Sequence, residues 1–189
     1  MRPAIRAPSI FFMPERVIIL NASAVHRVLT RIAHEIAERN DNSQAVVLVG
    51  IQRGGIHLAE RLGNILKGIW GHPVPVGSLD VSMHRDDLDQ CLAPNVHPTR
   101  IPFDVAGKTV VLVDDVLYSG RTTRAALDAL NDFGRPQRIQ LAVLIDRGRR
   151  ELPIKADFVG KNVPTGMHER INVELKEEKG EDIVYFQNP

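Results

Sequence analysis

Five apolar runs of strand length, rich in β-branched residues, occur in the first three quarters of the chain. They cover residues 16–20, 45–51, 73–81, 110–113 and 138–146. The run at 45–51 (AVVLVGI) contains no polar side chain, which is expected of a strand buried on both faces of a sheet. After residue 147 the runs are shorter, near Phe158, Ile171–Leu175 and Ile183–Phe186, and predict several short strands.

Between these strands, apolar residues recur every three or four positions, which predicts amphipathic helices. The three sets are Val25, Leu29, Ile32 and Ile36; Leu58, Leu62, Ile65 and Ile69; and Ala125, Ala126, Leu127 and Leu130. Asn21 or Ser23 can cap the first helix. Strands that alternate with helices predict an α/β fold with a doubly wound, mostly parallel sheet.

One long segment, residues 82–104, has no apolar periodicity. A structureless connection of this length is unusual in a compact domain and indicates a functional or mobile loop.

The composition bounds the class of protein. A chain of 189 residues suits a single domain, which we place at residues 15–189 after a disordered N-terminal tail at 1–14, with Met1 or Met13 as the start. A net charge of +1 excludes an overall polyanion-binding character. The lone Cys91 excludes an intrachain disulfide and suits a reducing, cytoplasmic location. No apolar run reaches the roughly 18 residues of a membrane span, so no membrane association is expected.

The run at 110–113 ends in two adjacent carboxylates, Asp114 and Asp115, and then in the small polar loop Ser119–Thr123. Ligands of open parallel sheets bind beyond the carboxyl ends of the strands. Backbone N–H groups, hydroxyls and a helix start at this loop form a site for one phosphate. The AGKT stretch at residues 106–109 is not the end of a P-loop, because Pro102 occupies the position of the first P-loop glycine. The dinucleotide-binding fingerprint G-x-G-x-x-G does not occur in the sequence. The carboxylates can accept hydrogen bonds from vicinal ribose hydroxyls, so we expect a phosphorylated sugar.

The stretch VVLVDDVLYSGRT resembles the 5-phosphoribosyl-1-pyrophosphate (PRPP) signature of type I phosphoribosyltransferases. Together with LTRIAHEI, LDVSMHRDDL and GRPQRIQLAVLIDRGRRELPIKADFVGKNVPT, it resembles the PyrR family of bifunctional pyrimidine-operon regulators and uracil phosphoribosyltransferases. The resemblance covers roughly residues 15–186 and implies a type I phosphoribosyltransferase core with a small hood from the chain termini. It also implies a homo-oligomer that uses PRPP, uracil and UMP or UTP.

The resemblance assigns site residues to three groups. The first group binds PRPP or UMP and comprises Asp114, Asp115, Val116, Leu117, Tyr118, Ser119, Gly120, Arg121 and Thr122. The second group is the pyrophosphate loop, Arg53 and Gly54, joined by Arg85 from the long loop, which would close over the site. Mg²⁺ is implied as cofactor, held mainly by PRPP oxygens, with Asp114 or Asp115 contributing through water. Tyr118 we interpret as packing beside the phosphate loop.

The third group is an RNA-binding patch for the pyrimidine-operon leader mRNA. By resemblance it comprises Arg31, Arg39, Arg149, Arg150, Lys155 and Lys161. A local basic face of this kind can follow RNA phosphates although the whole chain is nearly neutral. Two alternatives stay open from the sequence: a plain salvage phosphoribosyltransferase without an RNA role, including one for purines, and a regulator that keeps the nucleotide pocket only as a sensor.

Overall fold

The computed structural model describes residues 16–84, 97–166 and 169–187. Within these residues, eight strands and four α-helices follow one another along the chain. They are β1 (Arg16–Asn21), α1 (Ala22–Arg39), β2 (Val46–Ile51), α2 (Gly54–Trp70), β3 (Val76–Leu79), β4 (Thr109–Leu117), α3 (Arg121–Leu130), β5 (Arg138–Asp146), β6 (Phe158–Asn162), β7 (Arg170–Glu174), α4 (Lys176–Lys179) and β8 (Ile183–Gln187).

The main sheet has five parallel strands in the order β3-β2-β4-β5-β6. Its central strands are buried on both faces because helices cover both. Alternate residues of β2 and β4 point to opposite sides, so Leu48 and Val111 pack with α1 and α2, whereas Val49 and Leu112 pack with α3. The predicted α/β class with a doubly wound, mostly parallel sheet is confirmed.

The helices begin and end at residues suited to those positions. Asn21 caps α1, since its side-chain Oδ1 accepts a hydrogen bond from Ala24 N at 3.0 Å. Gly71 ends α2 in the left-handed conformation, at φ 75°. The predicted apolar face of α2 is shifted at its end: Ile69 is 36% exposed, and Leu66 is buried instead.

A second, antiparallel sheet has the order β1-β8-β7 and joins the two ends of the chain. The first apolar run therefore does not enter the parallel sheet, whose fifth strand is β6. The physical reason lies in burial: Val17 and Ile18 are 50% and 59% exposed, and only Leu20 of this strand enters the core. An apolar run alone does not show whether a strand belongs to the buried parallel sheet or to the small antiparallel sheet.

The small sheet, with its short helix α4, forms the hood and is fastened to α2 by one arginine. The Arg61 guanidinium donates hydrogen bonds of 2.6–2.8 Å to both carboxylate oxygens of Glu177 and to both of Asp182. Paired donors of this kind match the planar geometry of a carboxylate. The bonds from Arg61 hold the pKa of Glu177 and of Asp182 below their usual values. Because α2 starts at the pyrophosphate loop, Arg61 links the hood to the edge of the sheet where ligands bind.

Parts of the sequence prediction lie outside the described residues. These are the N-terminal tail at 1–14, Arg85 and Cys91, so their assignments stay predictions. Residues Ser82–His84, the last described residues before position 85, form one turn of 3-10 helix. Among the helices of the described ranges, none is both long enough and apolar enough to cross a membrane.

Candidate active site

Three segments meet at the carboxyl edge of the parallel sheet. Residues 52–55 follow β2, residues 114–123 complete β4 and enter α3, and residues 146–152 follow β5. The register places Gly50 of β2 beside Val113 of β4, and Leu117 of β4 beside Asp146 of β5. The structure therefore brings the predicted pyrophosphate loop and the predicted phosphate loop to one edge, as the parallel topology requires.

The turn after β2 lies against the carboxylates of β4. A Cβ atom added to Gly54 would lie 2.6 Å from Asp115 Oδ2, and one added to Gly55 would lie 2.2 Å from the Val113 carbonyl oxygen. Both positions therefore need glycine. The Gln52–Arg53 peptide bond is cis, and the Arg53 side chain is exposed. Arg53 forms no ion pair with a carboxylate in the described parts of the chain, so its guanidinium is available to an anion at this edge.

The two carboxylates differ in their surroundings. Asp114 is 6% exposed, and its Oδ1 accepts a hydrogen bond from Asp115 N at 3.0 Å. Asp115 is partly buried, and its Oδ1 accepts one from Val116 N at 2.7 Å. Burial raises the pKa of Asp115 above its usual value, and the nearby Glu178 carboxylate acts in the same direction. A carboxylate can accept more than one hydrogen bond, so both acids can also accept from the hydroxyl groups of a ligand.

The loop after β4 is shaped to bind an anion. Gly120 adopts φ 93°, a left-handed conformation that lets the chain turn into α3. The first bond that closes a full turn of α3 runs from Arg124 N to the Gly120 oxygen, so the N–H groups of Thr122 and Thr123 have no acceptor within the helix. The Thr123 hydroxyl is buried, and its Oγ1 has no hydrogen-bond partner among the described residues. These unpaired donors suit a phosphate.

Backbone carbonyl oxygens of the same loop accept hydrogen bonds from the segment after β5. The Ser119 oxygen accepts hydrogen bonds from the N–H groups of Glu151 and Leu152 at 3.0 and 3.1 Å. The Tyr118 oxygen accepts one from Arg150 Nη1 at 2.8 Å. Because the carbonyl oxygens are used on one side, the N–H groups can face the other.

Between these segments lies a cavity of about 420 Å³. Its lining comprises Asp114, Val116, Leu117, Tyr118, Ser119, Gly120, Arg121, Thr122, Thr123 and Glu151. Eight of the nine residues predicted to bind PRPP or UMP line it. The ninth, Asp115, contacts the glycine turn instead.

Comparison with known proteins identifies the family of this chain. Residues 18–177 match the family described as Phosphoribosyl transferase domain. Bifunctional protein PyrR of Roseiflexus sp. (strain RS-1) is 64% identical over 163 residues, which cover 86% of this chain and 89% of that protein. This chain belongs to the PyrR family of phosphoribosyltransferases. Further PyrR proteins, from Pelotomaculum thermopropionicum and Listeria welshimeri, are 58% and 54% identical over 171 and 177 residues, covering 90% and 91% of this chain and 94% and 97% of theirs.

Solved structures support the fold independently of close sequence similarity. Hypoxanthine phosphoribosyltransferase from Trypanosoma cruzi, in complex with the product IMP, superposes with a TM-score of 0.70 at 17% identity, covering 95% of this chain and 93% of that chain. The Staphylococcus aureus enzyme gives a TM-score of 0.67 at 16% identity, covering 96% of this chain and 97% of its own. At such identity the likeness concerns the fold alone. The predicted PyrR family and type I phosphoribosyltransferase fold are confirmed.

The Tyr118 side chain is exposed beside the cavity and contacts a buried arginine, and its structural role stays a prediction. The Arg147 guanidinium lies 4.0 Å from the centroid of the Tyr118 ring, which is a cation–π geometry. Arg147 is buried, and it also donates to Thr165 Oγ1 at 2.9 Å and to the Glu169 oxygen at 3.0 Å. In this PyrR-family chain, Arg147 thus joins the phosphate loop to the segment that precedes β7.

Four of the six residues predicted to bind RNA lie along α1 and the edge strand β6. Arg31 donates to the Val159 and Gly160 oxygens at 3.0 and 2.6 Å, and Arg39 pairs with Asp157 at 3.0 Å. Lys161 belongs to β6 itself, and Lys155 lies two residues before Asp157. All four side chains are exposed. We call the surface of Arg31, Arg39, Lys155 and Lys161 the α1–β6 face.

The other two predicted RNA residues have partners elsewhere. Arg149 is exposed, adopts φ 56°, and donates to the Thr165 oxygen at 2.6 Å. The partly buried Arg150 pairs with Asp146 at 2.5 Å and donates to the Tyr118 and Ile154 oxygens at 2.8 and 2.9 Å. Arg150 therefore supports the phosphate loop, a role that the sequence pattern does not indicate.

Carboxylate oxygens are ligands that Mg²⁺ accepts, and they are supplied by Asp114, which lines the cavity, and by its neighbour Asp115. Within residues 16–84, 97–166 and 169–187, no group of three or more His, Cys, Asp or Glu side chains could hold a metal ion. This donor set suits a metal that arrives with a phosphorylated substrate better than one caged by the protein alone.

Sequence reasoning included Thr123 in the predicted phosphate loop but ended the PRPP group at Thr122. In the structure Thr123 lines the cavity with a buried hydroxyl. Sequence reasoning missed Glu151, which also lines the cavity and pairs with Arg121 at 2.7 Å. No local pattern indicates Glu151 or Arg147, since both reach the loop through the fold.

Proposed function

We propose that this protein transfers the phosphoribosyl group of PRPP to uracil, forming UMP and pyrophosphate, and that it also binds pyrimidine-operon leader RNA according to its nucleotide occupancy. The observation that supports the enzyme most strongly is the placement, at one sheet edge, of a loop with free donors at Thr122 and Thr123, two desolvated carboxylates and an exposed arginine. The high identity to proteins named Bifunctional protein PyrR selects this activity within the phosphoribosyltransferase family.

The described residues divide the work of binding. The N–H groups and hydroxyls at Ser119–Thr123 bind the 5-phosphate, a charge that the start of α3 favours. Asp114 and Asp115 accept hydrogen bonds from the two ribose hydroxyls, which offsets the desolvation of these carboxylates. The sugar is thereby held with its anomeric carbon between the phosphate loop and the turn at 52–55.

The turn at 52–55 lies on the leaving-group side. During the reaction the bond from C1′ to a pyrophosphate oxygen breaks, a bond from C1′ to uracil N1 forms, and the N1 proton passes to solvent. Arg53 neutralises negative charge as pyrophosphate departs. The glycines at 54 and 55 let the turn that follows Arg53 pack directly against β4. Bound with PRPP, Mg²⁺ would withdraw charge from the pyrophosphate oxygens, with Asp114 or Asp115 contacting it through water.

A panel of bases tests the enzyme directly. We expect the protein, with PRPP and Mg²⁺, to convert uracil at least about a hundredfold more efficiently than hypoxanthine, guanine or orotate, because a site built for one base leaves polar groups unpaired around another. The measurement is product formation for each base under identical conditions. A preference for a purine would overturn the uracil assignment, and turnover of no base would support a nucleotide sensor without catalysis.

The RNA role rests on the α1–β6 face. None of its four cations belongs to the cavity lining, so RNA and nucleotide can bind together. Arg31 and Arg39 are partly neutralised by Glu35 and Asp157, whereas Lys155 and Lys161 have no carboxylate within ion-pair distance among the described residues. We therefore expect the two lysines to supply the larger share of the phosphate contacts.

A salt titration of RNA affinity tests this face. Lys155→Gln combined with Lys161→Gln should weaken binding of the organism's own pyrimidine-operon leader RNA and lower the salt slope of log K by about 1 to 2, since fewer counterions are released. Uracil phosphoribosyltransfer should stay close to that of the unaltered protein. UMP should tighten RNA binding about fivefold or more in the unaltered protein, a coupling of about 1 kcal/mol or more.

Lys108→Gln provides a matched control for the titration. Lys108 Nζ donates to the Gln44 oxygen at 3.4 Å, as Lys161 Nζ donates to the Ile19 oxygen at 3.4 Å, but Lys108 directly precedes the central strand β4 and is not part of the α1–β6 face. Unchanged RNA affinity in the double variant would reject the α1–β6 face. An equal loss in the Lys108 variant would indicate nonspecific charge attraction.

A further inference from the structure

The chain leaves the sheet after β3 and later returns beside β3, and one carboxylate is hydrogen bonded to both segments. Asp80 directly follows β3, and its Oδ1 accepts a hydrogen bond from Ser82 N at 2.6 Å. Its Oδ2 accepts one from His97 N, 17 residues along the chain from Asp80. The Asp80 N–H donates to Thr99 Oγ1 at 3.0 Å. A single partly buried residue therefore joins the outgoing and returning segments.

These bonds belong to a short strand pairing that reaches the pyrophosphate turn. Ser78 and Arg100 exchange two backbone hydrogen bonds of 2.8 Å, which place the returning segment antiparallel to β3. The Gln52 N–H donates to the Leu79 oxygen at 3.0 Å, and Gln52 Nε2 contacts the Pro98 oxygen at 3.5 Å. Gln52 is thus held between the two segments that Asp80 joins, and Arg53 follows it directly.

The Asp80 carboxylate is suited to this task. Burial acts to raise its pKa, but the hydrogen bonds from Ser82 and His97 outweigh that effect and hold the pKa below its usual value. The carboxylate therefore stays ionised near neutral pH and accepts on both oxygens at once. An amide in its place would keep one accepting oxygen and direct an NH₂ group at the other backbone donor.

We propose that Asp80 is a positioning residue for the pyrophosphate side of the active site, acting through Gln52 on the turn at 52–55. This proposal deepens the proposed function, on which it rests. Asp80 contacts neither the cavity around the phosphate loop nor the carboxylate pair. Its loss should therefore affect pyrophosphate and PRPP while leaving the UMP phosphate site intact.

The reverse reaction separates these effects, because UMP and pyrophosphate enter as distinct substrates and give uracil and PRPP. In Asp80→Asn we expect KM for pyrophosphate to rise about tenfold and kcat to fall, since small displacements of charged groups weaken binding strongly. KM for UMP should change less than about twofold. Asp104→Asn is the matched control: Asp104 accepts a similar bond, from Ala106 N at 2.8 Å, but bridges no second segment at this edge.

The outcomes are distinct. A rise in KM for pyrophosphate alone supports the proposal. Equal rises for both substrates, or a loss matched by the Asp104 variant, would indicate general destabilisation and overturn it. Unchanged kinetics in Asp80→Asn would also overturn it. If the unaltered protein forms no UMP from uracil and PRPP, the proposed function fails first. In that case, calorimetric titrations with Mg-pyrophosphate and with UMP test Asp80 separately. Weaker binding of pyrophosphate with unchanged binding of UMP in Asp80→Asn supports the proposal.

Discussion

Asp115→Asn is expected to lower kcat/KM for UMP formation at least about a hundredfold while the protein stays folded. An ionised carboxylate that accepts from a ribose hydroxyl contributes roughly 1.5–3 kcal/mol per hydrogen bond, and the Asn amide directs an NH₂ group at that donor instead. Each 1.4 kcal/mol corresponds to about tenfold in rate. Neutral Asn also removes the negative charge that stabilises positive charge developing at the sugar. The measurement is steady-state uracil conversion with PRPP and Mg²⁺.

Stability should not fall with this change. Burial raises the pKa of Asp115, so as the pH increases this carboxyl loses its proton at a lower pH in the unfolded chain than in the folded protein. The free energy of unfolding therefore falls as the pH rises from the ordinary pKa of aspartate to the raised pKa of Asp115. At neutral pH the burial of Asp115 therefore costs free energy, and Asn removes this cost. Asp128→Asn, an exposed change on α3, is the control. Full activity in Asp115→Asn would reject the ribose role, and a lower melting temperature would reject this account of its burial.

The glycines after β2 are expected to separate activity from stability. Gly54→Ala should reduce activity about tenfold to a hundredfold with little change in melting temperature. The added Cβ meets Asp115 Oδ2 at 2.6 Å, and this side-chain atom can rotate away, but only by leaving its position toward the ribose. The measurement is kcat/KM alongside a thermal melt.

Gly55→Ala should instead destabilise the fold. Its Cβ would lie 2.2 Å from the Val113 carbonyl oxygen, a main-chain atom in the central strand β4 that cannot move alone. Overpacking of this kind costs about 3 kcal/mol, which lowers the melting temperature by about 6–12 °C in a chain of this length. Thermal unfolding of the purified variant measures it.

Gly68→Ala is the internal control for both variants. Gly68 lies in α2 with no atom within 4 Å of an added Cβ, so alanine should leave activity unchanged and raise stability by up to about 1 kcal/mol through helix propensity. If Gly68→Ala lost as much activity as Gly54→Ala, the contact with Asp115 would not be the cause. If Gly55→Ala melted with the unaltered protein, the close packing of the turn on β4 would be wrong.

The sequence by itself determined the secondary-structure elements of this protein and the strand, loop and helix start that we propose bind phosphate. The strand predicted at 138–146 is β5 to the residue, and the buried positions Val25, Leu29, Ile32 and Ile36 are those of the predicted helical face. These features depend on side-chain periodicity and on turn chemistry, which act between residues a few positions apart. The PRPP signature is equally local, since one strand, one loop and one helix start contain it.

Only the tertiary structure decided which elements and side chains meet. It places the first strand in the hood sheet and brings Arg150 into contact with the loop after β4. It also brings the Asp80 carboxylate within hydrogen-bond distance of His97 N. It also placed Gly54 against Asp115. Each of these contacts joins residues that are far apart in the chain and depends on how strands cross and helices pack. A local pattern records that a side chain is apolar or charged, but the partner that satisfies it is chosen by long-range packing and by the need to pair buried polar groups.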